Sequence, residues 1–434
     1  MKNVQNSDPV NIGREINKVF STYPRNGSER GASWLHRKPL EDEFNQALVA
    51  GLHIVVDGPT GAGKSSLAIT TLEKQKRSYK LIQVTEFMDW LSFCRMFIEP
   101  QKNPTISTKI AGSVGSEKLI LPKLNVATEI GTTSKASDDF DLLQKVVATW
   151  QEHQMCEFLT ANELTLMIDD FENANDDLVS RIVGICRLLT ESYRNETTSV
   201  VIVGTNNTSA RLFSKAPSLD GRMTHICVGT LVGQGVSWQF LSLGFKKLRL
   251  FYPGSDKFST KQDLIQSIDA VQKATGGLPK SLNDLGKKIC SKVLVQDGRE
   301  RIAYSDIKEA CNSHFTKSIS ECKRLFPGIA RCVKDDPASK DILNFLFDNG
   351  VGNIVSEGEI LYAVSPMHSP EIVLDSLDTL IKHGFLARTG RNEEFIFPTD
   401  PKFAHVLGYV VANESEFKKD AVLGEFGKQY RLPM

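Results

Sequence analysis

A glycine-rich run at residues 58–66 has the residue types of a phosphate-binding loop: Gly58-Pro59-Thr60-Gly61-Ala62-Gly63-Lys64-Ser65-Ser66. Glycines let the backbone bend so that successive N–H groups face phosphate oxygens, and a following helix adds its positive end. Lys64 is expected to reach the outer phosphates, and the Ser65 hydroxyl to complete the coordination shell of Mg²⁺. The run therefore predicts a site for a nucleoside triphosphate and its metal ion.

Two adjacent carboxylates follow the apolar segment 164–168, which is predicted to be a strand. Asp169 is expected to hold the magnesium ion through water, because a carboxylate at the end of a neighbouring strand is the usual second anchor. Asp170 is the candidate for orienting the attacking water, and Glu172 is a substitute for it. The structural alternative for this acidic cluster is helix N-capping, which is as strong as the catalytic interpretation for Glu172 and Asn173.

Two asparagines, Asn206 and Asn207, follow the apolar segment 200–203. We expect Asn206 to contact the γ-phosphate or the attacking water, and the alternative is a turn beside Thr205. The Asn-Lys-x-Asp run that guanine specificity would require is absent from the sequence, so ATP is the expected nucleotide.

The elements that must position these residues alternate between strands and helices. Helices are predicted at 63–74, 86–97, 140–158 and 177–193, and strands at 53–57, 81–85, 164–168, 200–203 and 225–228. This alternation predicts an α/β fold with a parallel five-stranded sheet covered on both faces. Residues 101–138 interrupt it, and we interpret them as a surface insertion that either decorates the fold or binds a partner.

The remaining segments extend this core. Turn signals separate helical patterns that predict a small helical lid, and a later order of three helices and a hairpin (strands 385–388 and 394–397) predicts a winged helix. The predicted domains are a flexible leader 1–32, the nucleotide-binding core 33–232, the lid 233–330, the winged helix 337–412 and a C-terminal tail 413–434.

Composition limits the partners and the compartment. The 434-residue chain balances 52 basic against 52 acidic residues, so it lacks the basic excess of many nucleic-acid-binding proteins. It has no apolar run of the roughly 18 residues needed to cross a bilayer and no secretory signal, so we expect a cytoplasmic protein without a membrane partner. The eight cysteines show no metal-binding spacing, and we interpret them as buried reduced thiols.

Local charge bears on the question of DNA binding. Residues 335–411 carry twelve acidic and five basic side chains, a net charge of −7, which favours a protein-contact or intramolecular regulatory role for the winged helix. Arg388 and Arg391 on the wing leave a smaller DNA contact open. A basic stripe in the lid could also contact phosphates, or be an ordinary solvated face: Lys246, Lys247, Arg249, Lys287 and Lys288.

The order of these motifs resembles the AAA+ and STAND superfamily of P-loop ATPases over about residues 34–411. The segment from Gly204 to Arg222 and the run Thr275-Gly-Gly-Leu-Pro-Lys280 resemble transposon-targeting and origin-recognition ATPases. Asp169-Asp170, followed later by Gly277-Leu-Pro279, resembles the STAND ATPases of signal transduction and defence.

The resemblance implies roles for four further residues. Pro279 and Lys280 would belong to the nucleotide site, with Lys280 touching phosphate and coupling the nucleotide to the lid angle. Many AAA+ relatives have arginine there, and lysine cannot make the bidentate contact. Arg222 would enter a neighbour's site in a homo-oligomer, with an ordinary surface arginine as the alternative. Arg37 would lie at the mouth of the adenine pocket.

Three functions are compatible with these observations. The first is an ATP-hydrolysing molecular switch that assembles with itself or with a separate effector protein, in a defence system or a mobile element. The second is a DNA-targeting or DNA-loading ATPase, which the charge disfavours. The third and weakest is a small-molecule kinase, because no acceptor pocket is evident.

Overall fold

The computed structural model describes residues 9–21, 35–98, 149–193, 197–205, 208–219, 221–231, 233, 235–255, 259–322, 336–348, 355–389 and 395–398. The chain divides into two compact units. The first comprises Arg37–Asp57 and Lys64–Cys227, and the second comprises Met1–His36, Gly58–Gly63 and Val228–Met434. The phosphate loop therefore groups with the lid-containing unit, although the strand before it and the helix after it belong to the first.

The first unit contains a parallel five-stranded sheet with the order β2-β3-β4-β1-β5. Its strands are β1 His53–Asp57, β2 Tyr79–Gln83, β3 Thr165–Asp169, β4 Val200–Val203 and β5 Met223–Cys227. Every residue of β1, β3 and β4 is buried, as expected for central strands with both faces covered. The predicted sheet is confirmed, and each strand begins within two residues of its predicted start.

The helices of this unit pack on the sheet. They are α2 Lys38–Val49, α3 Lys64–Lys74, α4 Trp90–Ile98, α5 Glu152–Ala161, α6 Asp176–Glu191 and α7 Thr208–Lys215. The prediction of a helix from residue 140 is wrong at residues 149–151, because α5 begins only at Glu152. Trp150 lies outside the helix in the aromatic core, and its carbonyl accepts a hydrogen bond from Trp90 Nε1 at 2.8 Å. Gln151 and Gln154 then form a capping box.

His53 joins three elements of the sheet layer. The Val200 N–H donates to His53 Nδ1 at 3.1 Å, so Nε2 carries the proton of the neutral ring and donates to the Cys186 carbonyl at 2.9 Å. Complete burial lowers the pKa of His53 to about 4, although the hydrogen bond to Cys186 opposes this shift. The ring is therefore a neutral link between β1, β4 and α6.

The second unit contains four lid helices: α8 Val236–Lys247, α9 Lys261–Thr275, α10 Pro279–Cys290 with a π-helical continuation Ser291–Gln296, and α11 Tyr304–Cys322. Their buried faces form one apolar core. Thr260 caps α9 through a capping box with Asp263. The helical pattern predicted for the lid is thus present in the described residues.

An additional helix, α1 Pro9–Val19, belongs to the lid core. The prediction of a flexible leader over residues 1–32 is wrong for this segment, because Ile16, Val19 and Phe20 are buried. The Phe20 ring lies against Gly244 and Gly286, where an added Cβ would come within 2.2 and 2.5 Å of it. Two glycines on separate helices thus accommodate one aromatic ring, a contact that periodicity within residues 1–32 does not reveal.

The C-terminal part combines three helices with a small sheet. The helices are α12 Pro337–Asp348, α13 Glu357–Val364 and α14 Pro370–Lys382, and the antiparallel sheet has the order β6-β8-β7, with β6 Val355–Ser356, β7 Leu386–Thr389 and β8 Phe395–Pro398. The predicted hairpin strands lie within one residue of β7 and β8. Assignment of this part as a winged helix stays a prediction.

Several predicted features lie outside the described residues: the insertion 101–138, Asn206, Asn207, Arg391 and the tail 413–434. Among the helices that are described, none is both long and apolar enough to cross a bilayer. Six cysteines have described side chains; they are free thiols, and all but Cys227 are buried. Burial raises the pKa of Cys94 and of Cys156 to about 12, which agrees with inert reduced thiols.

Candidate functional site

The phosphate loop Gly58–Gly63 connects β1 to α3. Gly58 and Gly61 have φ angles of +148° and +82°, a region that residues with a Cβ rarely adopt. A Cβ at position 58 would lie 2.2 Å from the carbonyl oxygen of Val228. The loop conformation and its close backbone packing therefore both require glycine at position 58.

The lid contacts the loop at Gly61. The backbone N–H of Lys280 donates to the Gly61 carbonyl at 3.2 Å, and a Cβ at position 61 would lie 2.8 Å from Lys280 Cβ. Pro279 is the first residue of α10, where a proline loses no helical hydrogen bond. Lys280 thus lies beside the phosphate loop, and its contact with a phosphate stays a prediction.

The Gly-Gly-Leu-Pro element brings the start of α10 to this position. Gly277 has φ +73°, and a Cβ there would lie 2.3 Å from the Leu231 carbonyl oxygen. The Leu231 N–H in turn donates to the Gly277 carbonyl at 2.8 Å. Because the backbones touch, a side chain at position 277 would displace the segment that carries Lys280.

Lys64 and Ser65 begin α3, and Ser66 follows in the same first turn. The Ser65 hydroxyl donates to Asp169 Oδ1 at 2.9 Å, which joins the helix to the end of β3. The Lys64 side chain is buried, and this burial lowers the pKa of its ammonium group. Neighbouring carboxylates oppose the shift, and Glu172 contributes most, followed by Asp169, Asp57 and Asp170. The predicted lysine, serine and carboxylates are therefore brought together.

The Ser65–Asp169 pair has the donor atoms that suit magnesium. Burial raises the pKa of Asp169 to about 6, although the hydrogen bond from Ser65 lowers it. A nearby divalent cation would stabilise the ionised form of a buried carboxylate of this kind. Hydroxyl and carboxylate oxygens are the hard ligands that Mg²⁺ prefers. The residues present therefore fit a magnesium ion.

Asp170 and Glu172 point to different strands. Asp170 has φ +54°, and its Oδ2 accepts a hydrogen bond from Gln83 Nε2, at the end of edge strand β2, at 2.7 Å. Glu172 Oε2 instead accepts from the backbone N–H of Thr205, just after β4, at 3.0 Å. In the sheet order, β4 is the neighbour of β1, whereas β2 lies on the far side of β3. Glu172 is thus directed toward the strand next to the one that leads into the phosphate loop.

The capping alternative for Glu172 and Asn173 is wrong. The N-cap of α6 is Asn175, whose side chain accepts from the Leu178 N–H at 2.8 Å. Asn173 Nδ2 donates to the Val84 carbonyl at 3.3 Å and thereby holds the loop after β2. Neither Glu172 nor Asn173 caps a helix, which leaves the Glu172 carboxylate as part of the acidic cluster near Lys64.

Arg222 and Arg37 lie elsewhere in the first unit. Arg222 immediately precedes β5, at the amino edge of the sheet, and its guanidinium donates to Glu191 Oε1 at 2.7 Å. Asp57 and Asp169 end their strands at the opposite, carboxyl edge, so Arg222 is not part of this chain's acidic cluster. Arg37 precedes α2, and burial lowers its pKa to about 10. Their roles toward a neighbouring subunit and an adenine base stay predictions.

Asp57 and His225 form a polar pair that the sequence motifs do not predict. Asp57 ends β1 directly before Gly58, and its Oδ2 lies 3.2 Å from His225 Nε2 and accepts from the Ser209 N–H at 3.1 Å. Burial opposes protonation of His225, but hydrogen bonds with Asp57 and Cys227 outweigh it and raise its pKa to about 10. A charged residue at the end of an apolar strand was the available signal for this pair.

Comparison with solved structures identifies the fold. A Walker-type ATPase of Pyrococcus abyssi aligns with a TM-score of 0.50 at 14% identity, over 89% of this chain and 99% of the other. The chain shares the α/β fold of this Walker-type ATPase. Two further structures align less well: Cdc6p of Pyrobaculum aerophilum, with a TM-score of 0.42 at 17% identity (91% and 98% covered), and the RuvB Holliday junction branch migration motor of Thermotoga maritima, with 0.40 at 13% (87% and 95%).

At these identities the likeness concerns the fold alone. The sequence matches no protein-family model and no curated protein.

Proposed function

We propose that this AAA+-fold protein binds and hydrolyses ATP and acts as a molecular switch that assembles with itself or with a separate effector protein. The observation that carries the proposal is the 2.9 Å contact between Ser65 and Asp169 beside the buried Lys64. Burial disfavours the charged form of Lys64, nearby carboxylates oppose this effect, and an anionic phosphate at the same place would stabilise the charge further.

Binding would use the continuous run Gly58–Ser66 and the end of β3. Backbone N–H groups of the glycine-rich loop would hold the phosphates, and Lys64 would contact the outer ones. Ser65 and Asp169 would hold Mg²⁺, and the metal ion would neutralise charge on the β- and γ-phosphates. Arg37, Pro279 and Lys280 are further candidates for contact with the nucleotide.

Glu172 is the better candidate for orienting the attacking water. Among the carboxylates that oppose the lowering of the Lys64 pKa, Glu172 contributes most, and its hydrogen bond to Thr205 directs it toward the strand beside β1. Asp170 is engaged by Gln83 on the edge strand. We therefore revise the role given to Asp170 by its position after Asp169: Asp170 would position β2, and Glu172 would act on water.

The contact between Lys280 and Gly61 supports the switch. A movement of the phosphate loop would shift the first turn of α10, because a backbone hydrogen bond joins the two segments. A lid whose angle depends on the nucleotide can expose or cover a surface for another protein. A setting in defence or in a mobile element follows from the STAND resemblance, and Arg222 would act on the neighbouring subunit.

DNA targeting or loading is the second candidate. Burial and the nearby charge of Lys317 lower the pKa of Lys288, so cations from α10 and α11 lie close together in the lid. Against DNA, Arg388 is engaged by Glu357 and, at 3.0 Å, by Asp378. Arg388, one of the two arginines proposed to contact phosphate, is thus paired with carboxylates.

One pair of measurements separates the candidates. Purified protein is assayed for binding to duplex DNA across a salt series and for mass by sedimentation, each with ATP and Mg²⁺ and with Mg²⁺ omitted. ATP-dependent assembly without DNA affinity supports the switch. Tight, salt-sensitive and ATP-dependent DNA binding would replace the switch with the second candidate. Lys64→Ala is the control, because it should remove every nucleotide-dependent effect.

A further inference from the structure

Helix α8 ends in an exposed surface that is both basic and apolar. Lys246, Lys247 and Arg249 are exposed, and they lie between Leu243 and Phe251, which are 36% and 53% exposed. Residues 236–255 contain these three cations and no Asp or Glu. We name these five residues the α8 face.

Helices α13 and α14 present a surface of the opposite sign. Tyr362, Met367 and Ile372 are 87%, 62% and 50% exposed, and Glu371 and Asp375 are exposed beside Ile372 on α14. Residues 357–381 contain five acidic residues and no Lys or Arg. We name these five residues the α13–α14 face. Exposed apolar side chains grouped with charges of one sign are typical of protein-binding surfaces.

None of the charged side chains of the two faces takes part in the ion pairs that the described residues form within each part. The lid pairs involve Lys273, Lys292 and Arg299, and none of them includes a cation of the α8 face. On α14, Arg388 pairs with Asp378, and not with Glu371 or Asp375. The local structure therefore does not account for these charges.

We propose that the α8 face of one copy of this chain binds the α13–α14 face of a second copy. The inference rests on the proposed function, because it specifies the contact through which the switch would assemble. The two faces carry opposite charges, and both expose apolar residues. When the faces are opposed, Phe251 and Leu243 would be buried against Tyr362, Met367 or Ile372, with cations and carboxylates around them. Because the two faces differ, such contacts are heterologous and build a ring or a filament.

The two faces together favour a second copy of the chain over nucleic acid as the binding partner. Duplex DNA would match the α8 face, but it would be repelled by Glu371 and Asp375 and would leave the apolar residues of the α13–α14 face uncovered. A second copy accounts for both faces at once, since each molecule carries the complement of the other.

The test uses charge reversal on each face. Lys246→Glu/Lys247→Glu and Glu371→Lys/Asp375→Lys are compared with the wild type by sedimentation, with Mg²⁺ and a non-hydrolysable ATP analogue. We expect each double variant to raise the concentration at half-assembly at least tenfold. An equimolar mixture of the two variants should restore assembly, because the reversed faces complement each other. Raising NaCl should weaken wild-type assembly, since the screening length falls from about 10 Å at 0.1 M to about 3 Å at 1 M.

A matched control reverses two exposed lid cations outside the α8 face, Lys261→Glu/Lys308→Glu, with the same change in net charge. It should assemble like the wild type. The neutral variants Lys246→Gln/Lys247→Gln and Glu371→Gln/Asp375→Asn, checked by circular dichroism, address any reversal that fails to fold, and they should show a smaller shift of the same direction.

Binding of a fluorescent ATP analogue is measured on the same samples, so the two proposals can fail separately. Absence of nucleotide binding by the wild type would refute the switch itself. Nucleotide binding without assembly, or assembly that the reversals do not change, would refute the contact alone. Loss of duplex DNA binding as the only effect of the α8 variants would assign that face to nucleic acid instead.

Discussion

Asp170 and Glu172 are separated by one residue, yet they accept hydrogen bonds from opposite neighbours of β3. The left-handed conformation of Asp170 turns the chain at the end of the strand, and the short helical turn Phe171–Asn173 then carries Glu172 toward Thr205. Local backbone geometry therefore decides which of the two carboxylates is held at the end of β2 and which at the end of β4.

Glu172→Gln should lower the turnover of ATP by at least about 100-fold, because positioned general bases contribute about 10²- to 10⁴-fold. Its affinity for ATP should change by less than about threefold, since the phosphate loop and metal ligands are kept. Asp170→Asn should lose much less turnover. Steady-state hydrolysis and equilibrium binding of a fluorescent analogue measure both quantities. Normal hydrolysis by Glu172→Gln, with loss in Asp170→Asn, would return the role to Asp170.

At the scale of elements, single side chains hold the layers together. His53 connects β1, β4 and α6 through both ring nitrogens, and Phe20 anchors α1 in the lid through two glycine contacts. Both contacts join segments that are distant in the chain, so each can be tested by one substitution and a stability measurement.

The His53 link should make stability depend on pH. With a folded pKa of about 4 and an unfolded value near 6.5, the unfolded state takes up the proton first as pH falls, so stability present above 6.5 is lost toward pH 4. The loss at pH 4 should approach about 3 kcal/mol. In urea unfolding, the His53→Gln variant should be less stable than the wild type at pH 7, and it should lose less stability on acidification. His153→Gln, at an exposed position on α5, should keep the wild-type slope.

Phe20→Ala should destabilise the lid by about 3–5 kcal/mol, the usual cost of removing a buried phenylalanine. Gly244 and Gly286, which lie against the ring, have no side chains that could move into the space it leaves. Val10→Ala, at a site 58% exposed on α1, is the matched control and should change stability by less than about 0.5 kcal/mol. Equal effects of the two substitutions would show that α1 does not contribute through Phe20.

For the molecule as a whole, nucleotide binding and the distribution of charge are the properties that bear on the proposed function. The chain is neutral as a whole, but the described lid residues 235–255 and 259–322 carry thirteen basic and eight acidic side chains. The described residues 336–348, 355–389 and 395–398 carry three basic and eight acidic ones. The neutral chain therefore contains two parts of opposite net charge, and this separation of charge is the physical basis for the proposed self-association.

ATP with Mg²⁺ should stabilise the protein by mass action. At a free ligand concentration of about 100 times Kd, the free energy of unfolding should rise by about 2.7 kcal/mol. Thermal unfolding across an ATP series measures this effect. Lys64→Ala should remove the shift, and Asp169→Ala should remove the part that depends on Mg²⁺ while leaving a smaller effect of ATP alone. A full Mg²⁺-dependent shift in Asp169→Ala would contradict the assignment of the metal ligand.

The phosphate loop, the parallel sheet and the pairing of Ser65 with Asp169 could be predicted from sequence. The loop is contiguous, so its chemistry depends on neighbouring residues, and the carboxyl ends of parallel strands meet at one edge. The strand order places Asp169 there once the alternation of strands and helices is recognised.

Tertiary structure alone decided the rest. Which of Asp170 and Glu172 is held toward Thr205 depends on a left-handed residue and on the strands that flank β3. The place of α1 in the lid depends on glycines more than 200 residues away. The pair formed by Asp57 and His225 depends on the register of β1 with β5. These features arise from contacts between distant segments, and such contacts leave no periodic or contiguous pattern in the chain.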